Sequence, residues 1–204
     1  HRSYFDPIAM VFAVAERGRP TRFLEKSELF AREVVGEFVR AMGGIRVERA
    51  TGSDEPLREA ADALTAGEMV AILPQGTIPR GPAFFEPELK GRWGAAKLAN
   101  LAEVPVIPLG LWGTEEVWPR SSKFPDVTNV LSPPTVQVRV GEPIMLDGVD
   151  LDEDTTTIMS AITDLLPPEA NAPYNYSHDE LARTYPGGII PDDVDPDHES
   201  HRRP

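Results

Sequence analysis

The stretch MVAILPQGT, residues 69–77, decides the fold class that the sequence predicts. Its first five residues are all apolar, and a continuous apolar run of this length is typical of a strand covered on both faces of a sheet. Pro74 ends the run, and a turn that contains glycine follows it. Because such strands occur in sheets with helices on both sides, the stretch predicts an α/β protein with an open, largely parallel central sheet flanked by helices on both faces.

Helical and strand patterns alternate on both sides of this stretch, which is the order expected of an α/β fold. Residues 7–15 are predicted to form a helix that Asp6 caps, since Asp is a good N-cap and Pro7 suits the first helical position. The Pro- and Ser-rich loop 113–134 is predicted to be a lid or membrane-contacting loop or, equally well, an insertion packed on the surface. Further helices are predicted at 26–42, 55–66, 91–102 and 153–166, and strands at 21–24, 45–49, 104–111 and 135–140.

The formal net charge of −13 on these 204 residues is concentrated near the C-terminal end. Residues 150–204 hold 13 acidic and 3 basic residues, so the rest of the chain is nearly neutral. A nearly neutral body can present a basic patch to an anionic substrate. We predict one domain at 1–166, which is expected to lack upstream sequence because it starts with His1 rather than Met. The acidic, Pro-rich tail at 167–204 is predicted to be extended or disordered.

Composition argues against several kinds of chemistry and partner. The chain has no cysteine, which excludes disulfides, thiolate metal sites and a cysteine nucleophile. Three of the four histidines lie in the acidic tail without the spacing of a zinc helix, so no metal is predicted. The apolar run at 8–15 is far shorter than the roughly 20 residues that span a bilayer, and a cytoplasmic location is expected. Nucleic acid is not expected as a partner, since there is no basic tail and no recognition motif.

His1 and Asp6 have the spacing H-x-x-x-x-D, which suits a general base and the carboxylate that orients it. The motif alone is close to chance level, and the alternative for Asp6 is a plain helix cap. On a regular helix, five residues would turn the two side chains about 140° apart. Pro7 biases Asp6 away from helical dihedrals, so the chain turns before the helix and His1 can fold back onto the carboxylate.

The turn at 75–80, directly after the apolar run, is the second candidate site. Active sites of parallel sheets gather where buried strands end. The backbone N–H groups of this turn, the Thr77 hydroxyl and the Arg80 guanidinium can receive a phosphate or an oxyanion. The alternative is an ordinary Pro/Gly turn. The third candidate is Arg49 at the end of strand 45–49, although an arginine in such a position is usually only solvated.

Four sequence blocks occur together in a specific order: HRSYFD at 1–6, GGIRVER at 43–49, LPQGTIPRG at 73–81 and VPVIP at 104–108. This order resembles that of the 1-acylglycerol-3-phosphate acyltransferase family, and the resemblance covers roughly residues 1–145. It implies a glycerol-phosphate-acyltransferase-like fold and the transfer of a fatty acyl chain from acyl-CoA or acyl-ACP to the free hydroxyl of a lysophospholipid, in phospholipid biosynthesis. It implies no cofactor beyond this co-substrate, and a peripheral location on the inner face of the cell membrane.

The resemblance also assigns roles to single residues. It makes His1 the general base and Asp6 its orienting carboxylate, and it makes Arg49, Gly76 and Thr77 contacts to the substrate phosphate and the donor. These roles are expectations that come from the family and from matching positions.

The chain departs from the family pattern at two positions of the turn. Gln75 stands where the family has Glu, and Ile78 stands where it has Arg. Gln75 keeps hydrogen-bonding capacity without charge, and Arg80 is predicted to replace the missing cation. Two alternatives stay open: a non-catalytic lipid- or partner-binding module, or an acyl-CoA thioesterase. The sequence after 113 and the block LARTYP at 181–186 resemble acyltransferase modules that follow a phosphatase-like domain, so a fusion to such a domain is expected.

Overall fold

The computed structural model describes residues 1–15, 18, 21–26, 43–47, 55–126, 128–129, 131–192 and 194. Arg49 and the predicted helix at 26–42, apart from its first residue, lie outside this part of the chain. The helices are α1 Asp6–Ala15, α2 Glu55–Thr65, α3 Gly94–Ala102, α4 Thr114–Val117, α5 Leu151–Thr163 and α6 His178–Arg183, with short 3₁₀ helices at Gly81–Phe84, Pro168–Asn171 and Pro186–Gly188. The strands are β1 Thr21–Lys26, β2 Ile45–Val47, β3 Met69–Ala71, β4 Leu109–Trp112 and β5 Gln137–Val140.

The strands form two small sheets. Strand β1 lies between β2 and β3 and is parallel to both, with Leu24 opposite Ile45 and Thr21 opposite Met69. Strands β4 and β5 are antiparallel. The α/β class is therefore confirmed, whereas one large parallel central sheet is not found among the described residues.

The strand predicted at 104–111 is shorter than expected for a clear physical reason. Pro105 and Pro108 lack the N–H that a ladder needs, so Val106 makes only an isolated bridge to Ile144, and β4 begins at Leu109. Its partner is then β5, which was correctly predicted as a late strand but begins at Gln137. The prolines thus separate this region from the parallel strands.

Helix α3 lies between the two clusters of buried apolar side chains. Leu98 of α3 packs with Ile45 and Ala60, and Val70 of β3 packs against this first cluster. Ala96, which is fully buried, belongs to the second cluster, where residues 95 and 158 and the partly buried residues 72, 106 and 162 pack together. The apolar run that predicted the fold packs against helix α3 through Val70 and Ile72. Residues 69–71 are only partly buried, and β3 lies at the edge of the described three-stranded sheet, so the expectation of a strand covered on both faces is not met.

The expectation that residues 167–204 are extended or disordered is wrong for residues 168–188. Three short helices form there, and Leu181 of α6 is fully buried. Ser177 caps α6 by accepting a hydrogen bond from the Glu180 backbone, and the Glu180 side chain accepts in return from the Ser177 backbone. This capping box and the apolar residues that follow it outweigh the acidic composition.

Helix α5 begins two residues before its predicted start at 153. Asp150 caps it by accepting from the backbone N–H groups of Asp152 and Glu153, at 2.7 and 3.2 Å. Helix α3, by contrast, begins three residues after its predicted start, at Gly94 rather than at 91. These differences are confined to helix ends and do not move the site.

Candidate active site

The structure brings His1 and Asp6 into contact. The Nδ1 atom of His1 lies 2.6 Å from Oδ2 of Asp6, and the Asp6 side chain is buried. Residues 4–5 form a turn ahead of α1, so His1 folds back onto the Asp6 carboxylate as predicted. Helix α1 begins at Asp6 itself, which corrects the prediction that Asp6 precedes the helix as its cap and that Pro7 is the first helical residue. The imidazole keeps 13% of its side-chain surface exposed, which leaves it accessible to a substrate.

Asp6 is not a plain helix cap. A capping carboxylate accepts from N–H groups inside the first turn of its helix. The Asp6 carboxylate instead accepts from the backbone of Arg2 and Ser3, at 2.7 and 3.1 Å, which precede it in the chain. Its other oxygen, Oδ1, accepts from the buried hydroxyl of Thr114 at 2.5 Å. Four donors therefore surround one buried carboxylate, which is how a buried charge is normally retained.

These contacts define what the imidazole can do. The ionised Asp6 carboxylate is an acceptor, so Nδ1 of His1 carries the proton and donates a hydrogen bond to it. This hydrogen bond holds the ring in one orientation. The second ring nitrogen, Nε2, then carries the lone pair that can take a proton. The arrangement has the geometry of a general base with an orienting carboxylate.

The two residues that follow His1 hold this segment against the rest of the fold. The Arg2 guanidinium lies over the rings of Phe84 and Trp112, 4.3 and 4.4 Å from their centroids, and its Nε donates to Glu115 at 2.5 Å. The buried Ser3 hydroxyl donates to the Trp118 carbonyl at 2.6 Å. Ser3 is thereby committed to a structural hydrogen bond rather than placed as a nucleophile.

The turn at 75–80 lies directly against His1. The Oε1 atom of the buried Gln75 accepts a hydrogen bond from the backbone nitrogen of His1. Gly76 has a φ of 68°, and its N–H donates to the Leu73 carbonyl at 2.8 Å. The Gly76 amide therefore closes the turn, which corrects the expectation that it is available to an oxyanion. Among the residues that the structure describes, no acceptor pairs with the amide of Thr77.

Two arginines, Arg80 and Arg120, lie close to Ile78, the position where the family has Arg. Arg80 is exposed, and Ile78 is buried. A second arginine, Arg120, is buried, and its Nη1 donates to the Ile78 carbonyl at 2.7 Å. Burial first, and the nearby positive charge of Arg80 second, lower the pKa of Arg120. Nothing in the sequence singled out Arg120, since it lies in the Pro- and Ser-rich loop and belongs to no motif.

A cavity of about 260 Å³ is lined by Arg2, the residue that follows His1 and whose backbone donates to Asp6. His1 and Asp6 do not line it. Its walls combine aromatic rings with arginine and glutamate side chains, and the segment 169–184 closes one side. The lining residues include Arg2, Phe84, Trp112, Glu115, Glu116, Arg120, Tyr174, Glu180, Arg183 and Thr184.

Most charges around the cavity are paired. Arg2 pairs with Glu115, and Arg183 pairs with Glu116 at 3.0 Å. The Tyr174 hydroxyl donates to the Glu180 carboxylate, which raises the pKa of Tyr174 and lowers that of Glu180. Within the described ranges there is no group of three or more metal-ligating side chains, and no helix there is long and apolar enough to span a membrane.

Comparisons with known proteins identify relatives. A family model described as Acyltransferase matches residues 1–112. A 1-acyl-sn-glycerol-3-phosphate acyltransferase of Streptococcus pneumoniae is 26% identical over 164 residues, which cover 79% of this chain and 55% of that protein. The chloroplastic 1-acyl-sn-glycerol-3-phosphate acyltransferase BAT2 of Brassica napus is 25% identical over 157 residues, covering 74% and 41%. The chain thus spans about half the length of the curated relatives it matches.

One solved structure shares the fold. The crystal structure of the 1-acyl-sn-glycerophosphate (LPA) acyltransferase PlsC of Thermotoga maritima superposes with a TM-score of 0.57 at 24% identity. The match covers 80% of this chain and 61% of that one.

Proposed function

The chain belongs to the Acyltransferase family, and from this premise we propose that it moves a fatty acyl chain from acyl-CoA or acyl-ACP to the free hydroxyl of a lysophospholipid such as 1-acylglycerol-3-phosphate, in phospholipid biosynthesis. The family agrees with the resemblance drawn from the four sequence blocks, and two relatives are 1-acyl-sn-glycerol-3-phosphate acyltransferases, which supports this acceptor. The observation that carries the proposal is the 2.6 Å contact between Nδ1 of His1 and the buried Asp6 carboxylate.

In the proposed mechanism His1 acts as the general base. Nε2 takes the proton of the acceptor hydroxyl while the hydroxyl oxygen attacks the thioester carbonyl. The tetrahedral intermediate collapses, the C–S bond breaks, and the thiolate leaves with the proton that His1 returns. Asp6 stabilises the imidazolium that exists between these two transfers. The product is an ester and a free thiol, and no covalent acyl-enzyme is needed.

The turn at 75–80 contributes positioning and, we propose, the oxyanion donor. Gln75 fixes the backbone of His1, a role that needs a hydrogen-bond acceptor but no charge. The Thr77 amide is the proposed donor to the tetrahedral oxyanion, since Gly76 donates to Leu73. Arg49 is proposed to contact a substrate phosphate, and it lies outside the described residues.

The substrate suggests a location at a membrane surface, on the inner face of the cell membrane. Phe124 and Leu131, in the loop 113–134, are 74% and 100% exposed, which supports contact of this loop with lipid. Acyl-CoA or acyl-ACP is the proposed co-substrate, and neither a metal nor another cofactor is proposed. Fusion to an upstream phosphatase-like domain stays a prediction from the resemblance.

The decisive experiment measures release of free coenzyme A from acyl-CoA by the natural full-length protein, with and without lysophosphatidate. Acceptor-dependent release supports the transferase, acceptor-independent release indicates a thioesterase, and no release indicates a binding module.

The variant His1→Ala tests the proposed base. It should lose about 10²- to 10⁴-fold in kcat, the range for a positioned general base. His178→Ala is the matched control, because His178 is an exposed residue of α6. Near-normal turnover by His1→Ala would remove His1 from the mechanism.

A further inference from the structure

Arg120 differs from the other two arginines that line the cavity. Arg2 and Arg183 each have a glutamate partner. Arg120 is only 9% exposed, and within the described part of the chain no carboxylate pairs with it. Its one protein hydrogen bond there runs from Nη1 to the Ile78 carbonyl, and its Nε is buried without an acceptor.

A buried guanidinium in this state is unusual, because a charge withdrawn from water is normally retained only with an opposite charge and a full set of hydrogen bonds. Arg80 makes the imbalance larger, since its positive charge lies close enough to lower the pKa of Arg120. Arg120 lines the cavity and Arg80 lies close to Arg120, so one bound anion can compensate both positive charges. The guanidinium fork matches a phosphate, which can accept from two N–H groups at once.

The position of Arg120 relates this anion site to the proposed base. Arg120 holds the Ile78 carbonyl at one end of a four-residue segment, and Gln75 at the other end holds the backbone of His1. Even fully extended, this segment separates its end Cα atoms by at most about 11 Å. In 1-acylglycerol-3-phosphate the reacting hydroxyl and the phosphate are on neighbouring carbons. An acceptor whose hydroxyl meets His1 therefore places its phosphate near this turn.

We propose that Arg120, with Arg80 beside it, binds the phosphate group of the acceptor and so fulfils the function of a cation that Ile78 does not provide. This inference rests on the proposed function for the identity of the ligand. Arg120 is then a residue that determines acceptor specificity: it selects acceptors with a phosphate monoester over neutral ones, and it reaches the site from the loop 113–134 instead of from the turn.

The test is a calorimetric titration of the full-length protein with sn-glycerol 3-phosphate, with glycerol as the phosphate-free match. Arg120→Gln removes the charge but keeps an N–H that can donate to the Ile78 carbonyl. We expect it to weaken glycerol 3-phosphate binding about 10- to 100-fold, the effect of losing hydrogen bonds to a charged group. Arg120→Lys keeps the positive charge but not the paired N–H groups of the guanidinium, so it should lose less affinity for glycerol 3-phosphate than Arg120→Gln. Arg58→Gln, at an exposed arginine of α2, is the matched control and should bind normally.

A second probe separates the two sources of phosphate. Adenosine 3′,5′-bisphosphate carries the 3′-phosphate and the inner 5′-phosphate of a coenzyme A donor, and we expect Arg120→Gln to leave its binding unchanged. A loss confined to this probe would assign Arg120 to the donor and overturn the proposal, as would unchanged binding of both probes. If Arg120→Gln does not fold, Arg80→Gln decides, since Arg80 is exposed: normal glycerol 3-phosphate binding by that variant overturns the proposal.

Measuring glycerol 3-phosphate binding and acyl transfer separately distinguishes failure of the phosphate site from failure of the proposed function. If no acyl transfer is found but glycerol 3-phosphate binding still depends on Arg120, the phosphate site stands and the transferase fails. If transfer occurs and the KM for lysophosphatidate is the same in Arg120→Gln and in the wild type, the transferase stands and the phosphate site fails.

Discussion

Asp6 and Arg120 are two buried charges near opposite ends of the same turn, and the structure treats them in opposite ways. Asp6 accepts from four donors, one of which is the proposed base. Among the described residues, Arg120 donates to one carbonyl, and its buried Nε–H meets no acceptor. The Asp6 carboxylate has all its hydrogen-bond partners within the protein, and it serves to orient the His1 ring. Within the part of the chain that the structure describes, the Arg120 guanidinium lacks a full set of such partners, and we expect a bound phosphate group to supply them.

The largest effect should come from disturbing the satisfied charge. Asp6→Asn keeps the shape but removes the negative charge that stabilises the imidazolium, and an amide NH₂ group cannot accept from the donors that it faces. We expect kcat to fall about 10²- to 10⁴-fold, as for loss of the base itself. Steady-state kinetics with lysophosphatidate measures this effect, and a thermal melt checks that the variant is folded. A loss below about 10-fold would mean that Asp6 serves the fold and not the imidazole.

The contact between His1 and Asp6 could be predicted because its causes are local. The sequence predicted a turn ahead of the helix, and the turn at residues 4–5 brings the two side chains together, although Asp6 is the first residue of α1 and not its cap. Thr114 donates to the same carboxylate across 108 residues, and no local pattern encodes such a contact. Arg120 was missed for the same reason, since its burial depends on how the loop 113–134 folds back onto Ile78.

Errors in the predicted fold came from giving composition more weight than specific signals. The acidic residues near the C-terminal end suggested disorder, although Ser177 and Glu180 have the spacing of a capping box. Likewise, the apolar run at 104–111 suggested a strand, although Pro105 limits it to an isolated bridge. The α/β class was predicted correctly because alternating periodicity over many residues does not depend on any single contact.

The second prediction concerns the segment that closes the cavity beside Arg120. Leu181 is fully buried in α6, and Thr184 of the same segment accepts from the Gly81 backbone at 2.8 Å. Leu181→Ala should cost about 2–5 kcal/mol of stability, the range for a buried leucine. The loss should be seen in chemical denaturation. Glycerol 3-phosphate binding should weaken along with it, while the Asp6 network, which contains no residue of α6, stays intact.

An exposed residue of the same helix provides the matched control for Leu181→Ala. Asp179 is exposed, so Asp179→Ala should change stability by less than about 0.5 kcal/mol. A stable Leu181→Ala variant would contradict the conclusion that residues 168–188 are an integral part of the fold.

The third prediction removes one donor from Asp6 and leaves the others. Thr114→Val preserves the side-chain shape but removes the hydroxyl that donates to Oδ1. We expect a destabilisation of about 1.5–3 kcal/mol, since the lost hydrogen bond is made to a charged group inside the protein. Activity should fall less than in Asp6→Asn, because the carboxylate still contacts His1. Thr128→Val is the control, at an exposed position whose hydroxyl donates to Asp126.

The smallest effect on stability should come from a substitution of Arg120. Comparing it with the same kind of substitution at Asp6 tests whether the two buried charges differ in how fully the protein compensates them. Arg120→Met removes the hydrogen bond to the Ile78 carbonyl, which costs stability, but it also removes a buried charge with which no carboxylate of the described residues pairs. These two terms oppose each other, so the free energy of unfolding should change by no more than about 1 kcal/mol, and the Tm can even rise. Asp6→Leu, the corresponding change at the satisfied charge, leaves the donors of Arg2, Ser3 and Thr114 unpaired, and it should destabilise by about 3–5 kcal/mol. Equal losses in the two variants would mean that Arg120 is as fully compensated as Asp6, and the reason to expect an anion beside it would disappear.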